Sequence, residues 1–347
     1  MTNKKLKLAD IAELAGVSKS TVSFVLNGHA KKHRINQTTV EKVEQIARDN
    51  NYSPSIYARA LKSQKTYTAG LVIPDLANMG FARIAKKLEQ LCRSNGYQLL
   101  IASSEDDPQL EKQAIESLVD RQVDVLLIAT SMTDDSFFAQ IRSSAPIILF
   151  DRVVENGTFT SIKTDAKGAT EQVVTQLVEG LDECIYIGGQ LELSPSKDRF
   201  AGFKSGLEKA GVPFSAAKVF SKDYQPQSGY QMLEQAVTEL GRPPKAIFTA
   251  SYSLLEGVLR YLTQHQLLNS GIRIATFDND DILDCLPIEI DSVEQDCSAI
   301  AQSLFEAGKS LLNDPMHATE NIVLPAKINY RRSSSRAVNR RDRYRPS

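Results

Sequence analysis

Residues 1–65 carry twelve Lys and Arg against five Asp and Glu, a surplus of seven positive charges around a short polar helix that starts after Ser18. That surplus suits a polyanion. The local pattern narrows the chemistry. Leu8, Ile11, Leu14 and Ala15 repeat at helical spacing, and Gly16-Val17 breaks the repeat. Ser18 is a good N-cap for a second helix that turns Val22, Val25 and Leu26 inward and ends at Asn27-Gly28. Two short helices joined by a tight glycine turn make a helix-turn-helix, whose second helix enters the DNA major groove. An ordinary three-helix cap with a solvated basic face would show the same pattern.

Other chemistry finds little support. His29 and His33 are four apart but lack the glutamate of a zinc-hydrolase helix, and His265 and His317 stand alone. Gly308-Lys309-Ser310 resembles the end of a phosphate loop, but position 303 is Ser and the segment sits in an amphipathic helix with Ile300, Leu304 and Leu311. Gly188-Gly189 forms no dinucleotide fingerprint. Cys92, Cys184, Cys285 and Cys297 are widely spaced, contain no CxxC pair, and read as buried thiols. No metal or cofactor is expected.

The elements that position these residues follow from patterning. Asn36 caps a third helix with Val40, Val43, Ile46 and Ala47 inward. Ser55 to Leu61 reads as a short helix after Pro54, and Lys62 to Thr66 as a linker. From Ala69 onward apolar runs alternate with amphipathic helices. The runs lie at 70–74, 98–102, 125–129, 146–150, 184–187, 246–249 and 272–277. Continuous apolar strands separated by helices predict parallel sheets covered on both faces. About ten strands suit two doubly wound lobes better than one sheet. Ligands of such sheets bind beyond the carboxyl ends of the strands.

Length and charge fit this plan. A chain of 347 residues with 42% hydrophobic content can hold two or three folding units. Residues 331–347 hold seven Arg and one Asp, so with a total of −1 the segment between head and tail carries −14. No apolar run approaches the ~20 residues of a membrane span. The N-terminus has no apolar signal core, so a cytoplasmic protein is expected.

The stretch Leu8 to Asn27 (LADIAELAGVSKSTVSFVLN) closely resembles the signature of the LacI/GalR family of repressors, and Asn51-Tyr52-Ser53-Pro54 with Ala58 to Leu61 resembles its hinge helix. The resemblance runs from residue 6 to about 330. Leu99 to Asp106, Leu193 to Arg199, Leu240 to Ala246 and Leu254 to Tyr261 resemble its sucrose- and fructose-responsive members. It implies a helix-turn-helix domain over 1–53, a hinge and linker over 54–66, and a two-lobed domain of periplasmic-binding-protein type over 67–330. Lobe one would take about 67–162 and 291–323, and lobe two 163–290 and 324–330. Residues 331–347 read as a basic disordered tail.

The resemblance also implies roles. Lys19, Ser20 and Phe24 would face base edges, with Lys19 donating to guanine and Phe24 packing on a thymine methyl. Ser18, Thr21, Ser23 and Asn27 would contact phosphates, and Arg34 would reach DNA from an extended loop. Ala58 and Leu61 would meet the minor groove, with Leu61 as a wedge. The ligand would be held by Asp75, Asn78, Phe81, Ser103, Thr130, Asp151, Arg152, Arg199, Tyr224, Ser251, Asp278 and Gln295. Carboxylates and guanidinium forks suit sugar hydroxyls, and aromatic faces suit C–H surfaces. The implied partners are operator DNA, a fructose or fructose 1-phosphate inducer, and a second copy of the chain. A sugar-binding protein of the cell envelope would share the lobes but not residues 6–61. A sugar-modifying enzyme would need a catalytic motif, and none stands out.

Overall fold

The computed structural model describes residues 6–52, 65–141, 143–154, 158–314 and 318–332. The hinge helix expected over Ser55 to Leu61, with Ala58 and Leu61, lies outside them. The chain divides into two compact units, residues 1–67 and 68–347.

The first unit packs helices α1 (Leu8–Ala15), α2 (Lys19–Leu26) and α3 (Gln37–Asp49) around Ile11, Ala12, Ala15, Val22, Val25 and Val43. Gly16 ends α1 in the left-handed conformation (φ 64°), where its N–H reaches back to Ala12 and Glu13 carbonyls. Leu14 departs from the expected inward face and is 54% exposed. Ile11, Ala12 and Ala15 set the centre of the buried stripe, and at 100° per residue Leu14 falls outside it.

The second unit contains two six-stranded sheets. The first orders β11-β5-β4-β3-β1-β2, built from β1 (Thr68–Ile73), β2 (Gln98–Ser103), β3 (Val125–Ile128), β4 (Ile147–Phe150), β5 (Thr160–Thr164) and β11 (Asn321–Leu324). Helices α4 (Met79–Ser94), α5 (Pro108–Asp120) and α10 (Cys297–Asn313) cover it. The second orders β12-β10-β9-β8-β6-β7, from β6 (Ile185–Gly188), β7 (Val219–Ser221), β8 (Ala246–Thr249), β9 (Arg273–Phe277), β10 (Ile290–Gln295) and β12 (Ala326–Asn329). Helices α6 (Ala166–Leu177), α7 (Ser194–Lys209), α8 (Pro226–Leu240) and α9 (Tyr252–Gln264) flank it. All described pairings are parallel except β10 with β12.

The chain passes between the sheets after Thr164, Gln295 and Leu324. The middle passage, expected near 290, comes later because β10 runs on to Gln295 in the second sheet. Its polar residues conceal it: Asp291 and Ser292 are fully buried, and Arg331 and Arg332 supply their partners. Those two arginines are therefore part of lobe two, not of a tail. Cys285 is exposed rather than buried, while Cys92 and Cys184 are buried as expected.

Lobe two also carries a buried carboxylate held by cations at its surface. Glu183, 4% exposed, accepts from Arg242 Nη1 at 2.6 Å and Nη2 at 2.9 Å, and lies 3.3 Å from Lys218. The Arg242 hydrogen bonds chiefly hold its carboxyl down at about 2, from an ordinary 4.5. A depressed carboxylate stabilises the fold above its unfolded value, and that contribution is lost as pH falls through the folded one. Arg242→Ala is expected to lower stability at neutral pH, because Glu183 would keep its charge with one cation fewer beside it. The deficit should shrink below pH 4.5, toward 2, where wild type loses the same contribution. Urea melts across that range measure it, and a pH-independent deficit would contradict the assignment.

Candidate functional site

In the first unit, α2 presents Lys19 and Ser20 as exposed side chains at its start. Ser18 caps it, accepting from Thr21 N at 3.1 Å, and its hydroxyl lies 2.7 Å from Ser20 Oγ and 2.8 Å from Thr21 Oγ1. Asn27 donates to Ser23 O at 2.7 Å and to Ser23 Oγ at 3.3 Å. The hydroxyls expected on phosphates are thus already ordered by the helix. Phe24 is half-buried with its ring stacked on His33, a contact no sequence pattern announced. Arg34 is exposed and sits in the left-handed region (φ 52°).

In the second unit a cleft opens between the sheets at the carboxyl ends of their strands. Ten of the twelve expected ligand residues line it: Asp75, Asn78, Phe81, Asp151, Arg152, Arg199, Tyr224, Ser251, Asp278 and Gln295. Asp75 follows β1, Asn78 caps α4, and Asp151 and Arg152 follow β4. From the other lobe, Arg199 projects from α7, Ser251 caps α9, Asp278 follows β9, and Gln295 ends β10. Tyr224 fits only because residue 189 is Gly; a Cβ there would fall 2.2 Å from the Tyr224 ring.

Ser103 and Thr130 do not line the cleft. Ser103 donates to Pro74 O at 2.7 Å. Thr130, 1% exposed, donates to Glu111 at 2.6 Å, a fully buried carboxylate that also accepts from Ser131 N at 2.6 Å. That carboxylate on α5 turns the loop after β3 inward, so Thr130 is a structural residue.

The charge balance is acidic. Arg199 lies 3.9 Å over the Phe277 ring and donates to Ala250 O at 2.7 Å. Arg152 pairs with Asp106 and stands 5.9 Å from the Tyr224 ring across the cleft. The Nε atoms of both arginines are buried without a partner among the described residues. Burial pushes the Asp151 carboxyl above the usual aspartate range, against the pull of Arg199 and Arg152. Asp278 accepts from Gln295 at 2.8 Å. Asp106 was not among the expected residues. Its signal was its place just after β2, and it shares a positive φ with Asp151 and Asp278 (61°, 55° and 70°). Left-handed aspartates at three strand ends are the kind of backbone strain that gathers at functional sites.

The lobes touch around this cleft. Arg83 donates to Asn279 O and Asp280, both at 2.9 Å, Lys163 pairs with Asp198 at 3.0 Å, and Val153 N donates to Ser194 Oγ at 2.9 Å. The cleft is open to one side, with a cavity volume of about 50 Å³ at its centre.

Residues 7–55 match the family described as bacterial regulatory proteins, lacI family, and residues 69–286 match a periplasmic binding protein domain. The sucrose operon repressor of Klebsiella pneumoniae is 41% identical over 332 residues, covering 95% of this chain and 99% of that protein. The chain belongs to the lacI family. The fructose operon regulatory protein of Vibrio cholerae is 36% identical, covering 86% of this chain and 91% of its own. The Cra transcriptional dual regulator of Pseudomonas putida, solved with fructose 1-phosphate, superposes with a TM-score of 0.71 at 30% identity over 77% of this chain and 99% of its own. The lac repressor dimer bound to operator gives a TM-score of 0.82 at 23% identity over 94% and 99%, which speaks for the fold. Among the described residues no helix is long and apolar enough to cross a membrane, and no cluster suits a metal ion.

Proposed function

We propose that this lacI-family chain is a cytoplasmic repressor of sucrose or fructose utilisation genes, binding its operator as a homodimer and released by a neutral fructose-type sugar. It performs no catalysis on this reading. The observation that carries it is the composition of the cleft: Asp75, Asp106, Asp151 and Asp278 stand around Arg152 and Arg199. Carboxylates accept from sugar hydroxyls and repel a phosphate dianion, and a phosphate site normally gathers several cations or free helix N–H groups. Residues 66–330, which surround the cleft, carry −14, which adds to the repulsion.

A second reading, a regulator answering to fructose 1-phosphate, is favoured by the two unpartnered Nε atoms of Arg152 and Arg199 and by the ligand of the Pseudomonas relative. Calorimetric titration of both ligands at one salt concentration separates the two. Fructose is expected to bind at least as tightly. Tenfold tighter binding of fructose 1-phosphate, about 1.4 kcal/mol, would establish a phosphate site instead.

A further inference from the structure

The loop between α2 and α3 folds back over the recognition helix. His29 N donates to Phe24 O at 2.8 Å, His33 N to His29 O at 3.2 Å, and Ile35 N to Ala30 O at 3.0 Å. Ala30 and Ile35 pack against the core of the unit, so the loop is anchored at both ends. The result is a face-to-face stack: the His33 and Phe24 rings have centroids 3.5 Å apart and planes within 11°. His33 is exposed even so, and Lys31, Lys32 and Arg34 are exposed beside it.

This arrangement changes what α2 can read. A phenyl ring recognises a thymine methyl by apolar contact and has nothing to offer the donors and acceptors of a base edge. An imidazole carries both a donor and an acceptor when neutral. Stacked on Phe24, it is held at the helix surface with little rotational freedom left to lose on binding. We infer that His33 is a specificity-determining residue that works with Phe24 as a pair. Phe24 contacts a pyrimidine methyl, and His33 hydrogen-bonds the edge of the neighbouring base. The flanking Lys31, Lys32 and Arg34 follow the phosphates and set the loop's register without selecting sequence. The inference rests on α2 being the recognition helix.

The test is selection of duplexes from a random-sequence library by the full-length chain and by His33→Ala and His33→Phe variants, with melting curves to confirm that each folds. Wild type is expected to enrich a motif with adjacent preferences for Phe24 and His33. His33→Phe keeps the stack and should retain the first preference while losing the second by tenfold or more. His33→Ala should lose the second and weaken the first. If His33→Ala enriches the wild-type motif with unchanged preferences, or loses affinity equally at every position, His33 does not read sequence and the inference fails. If the wild-type chain enriches nothing, the recognition-helix reading falls and takes this inference with it.

Discussion

Ending the chain at Tyr330 is expected to destabilise lobe two by about 3–5 kcal/mol, the usual cost of stranding a buried charge, whereas ending it at Arg332 should cost little. Asp291 on β10 is fully buried. Its Oδ2 accepts from Arg332 Nε at 2.7 Å, and its Oδ1 accepts from the backbone N–H groups of Arg331 and Arg332 at 2.7 and 3.1 Å. Arg332 also donates to the Gln176 and Leu177 carbonyls, where α6 ends with unsatisfied acceptors. Arg331 joins Asp284, Asn279, Ser292 and the Ile290 carbonyl. Cutting before these arginines leaves an uncompensated carboxylate inside a sheet. Urea denaturation of chains ending at 330, at 332 and at 347 reads the effect directly. Asp291→Asn in the shortest chain should recover part of the loss, because an amide carries no charge to strand. Equal midpoints for the chains ending at 330 and 332 would show that the arginines contribute nothing.

The same residues mark where sequence reading stopped. Strands with unbroken apolar runs, such as Leu71-Val72-Ile73 and Ala246-Ile247-Phe248, were legible because both faces are buried. The strands β5, β10, β11 and β12 were not. Thr160, Thr164, Asp291 and Ser292 are polar yet buried, and β11 and β12 contain no fully buried position. Polar residues enter a core only when a partner waits there, and partners such as Arg332 for Asp291 lie far along the chain. The cleft shows the same limit. Placing ligand residues after strands located most of it, since the parallel-sheet rule is geometric. Thr130 also follows a strand, but Glu111 on a neighbouring helix draws it into the core. Asp106 was passed over because its direction depends on a left-handed backbone that residue type does not announce.

Replacing Arg199 with Ala is expected to abolish the response to sugar while leaving operator binding intact. Arg199 is 5% exposed, spends one N–H on Ala250 O, and rests on Phe277. Its Nε has no partner among the described residues, although the group is buried at the cleft. The fold therefore carries a desolvated guanidinium with unspent hydrogen-bonding capacity, an expensive arrangement unless a ligand completes it. Each charge-assisted hydrogen bond lost is worth about 1.5–3 kcal/mol, so loss of one should weaken sugar binding roughly 10–150-fold and loss of two by more. Asp151 and Asp278 would also lose a nearby positive charge. Arg199→Lys should not rescue binding, because an ammonium lacks the planar fork and the stacking face. DNA affinity without sugar should stay near wild type, since a ligand shifts the repressor only through its differential affinity for two lobe arrangements. Fluorescence anisotropy of labelled operator with and without fructose, beside calorimetry, checks both halves. If Arg199→Ala still releases operator at the wild-type fructose concentration, Arg199 does not hold the sugar. If the variant loses operator binding before any sugar is added, the residue serves the fold instead.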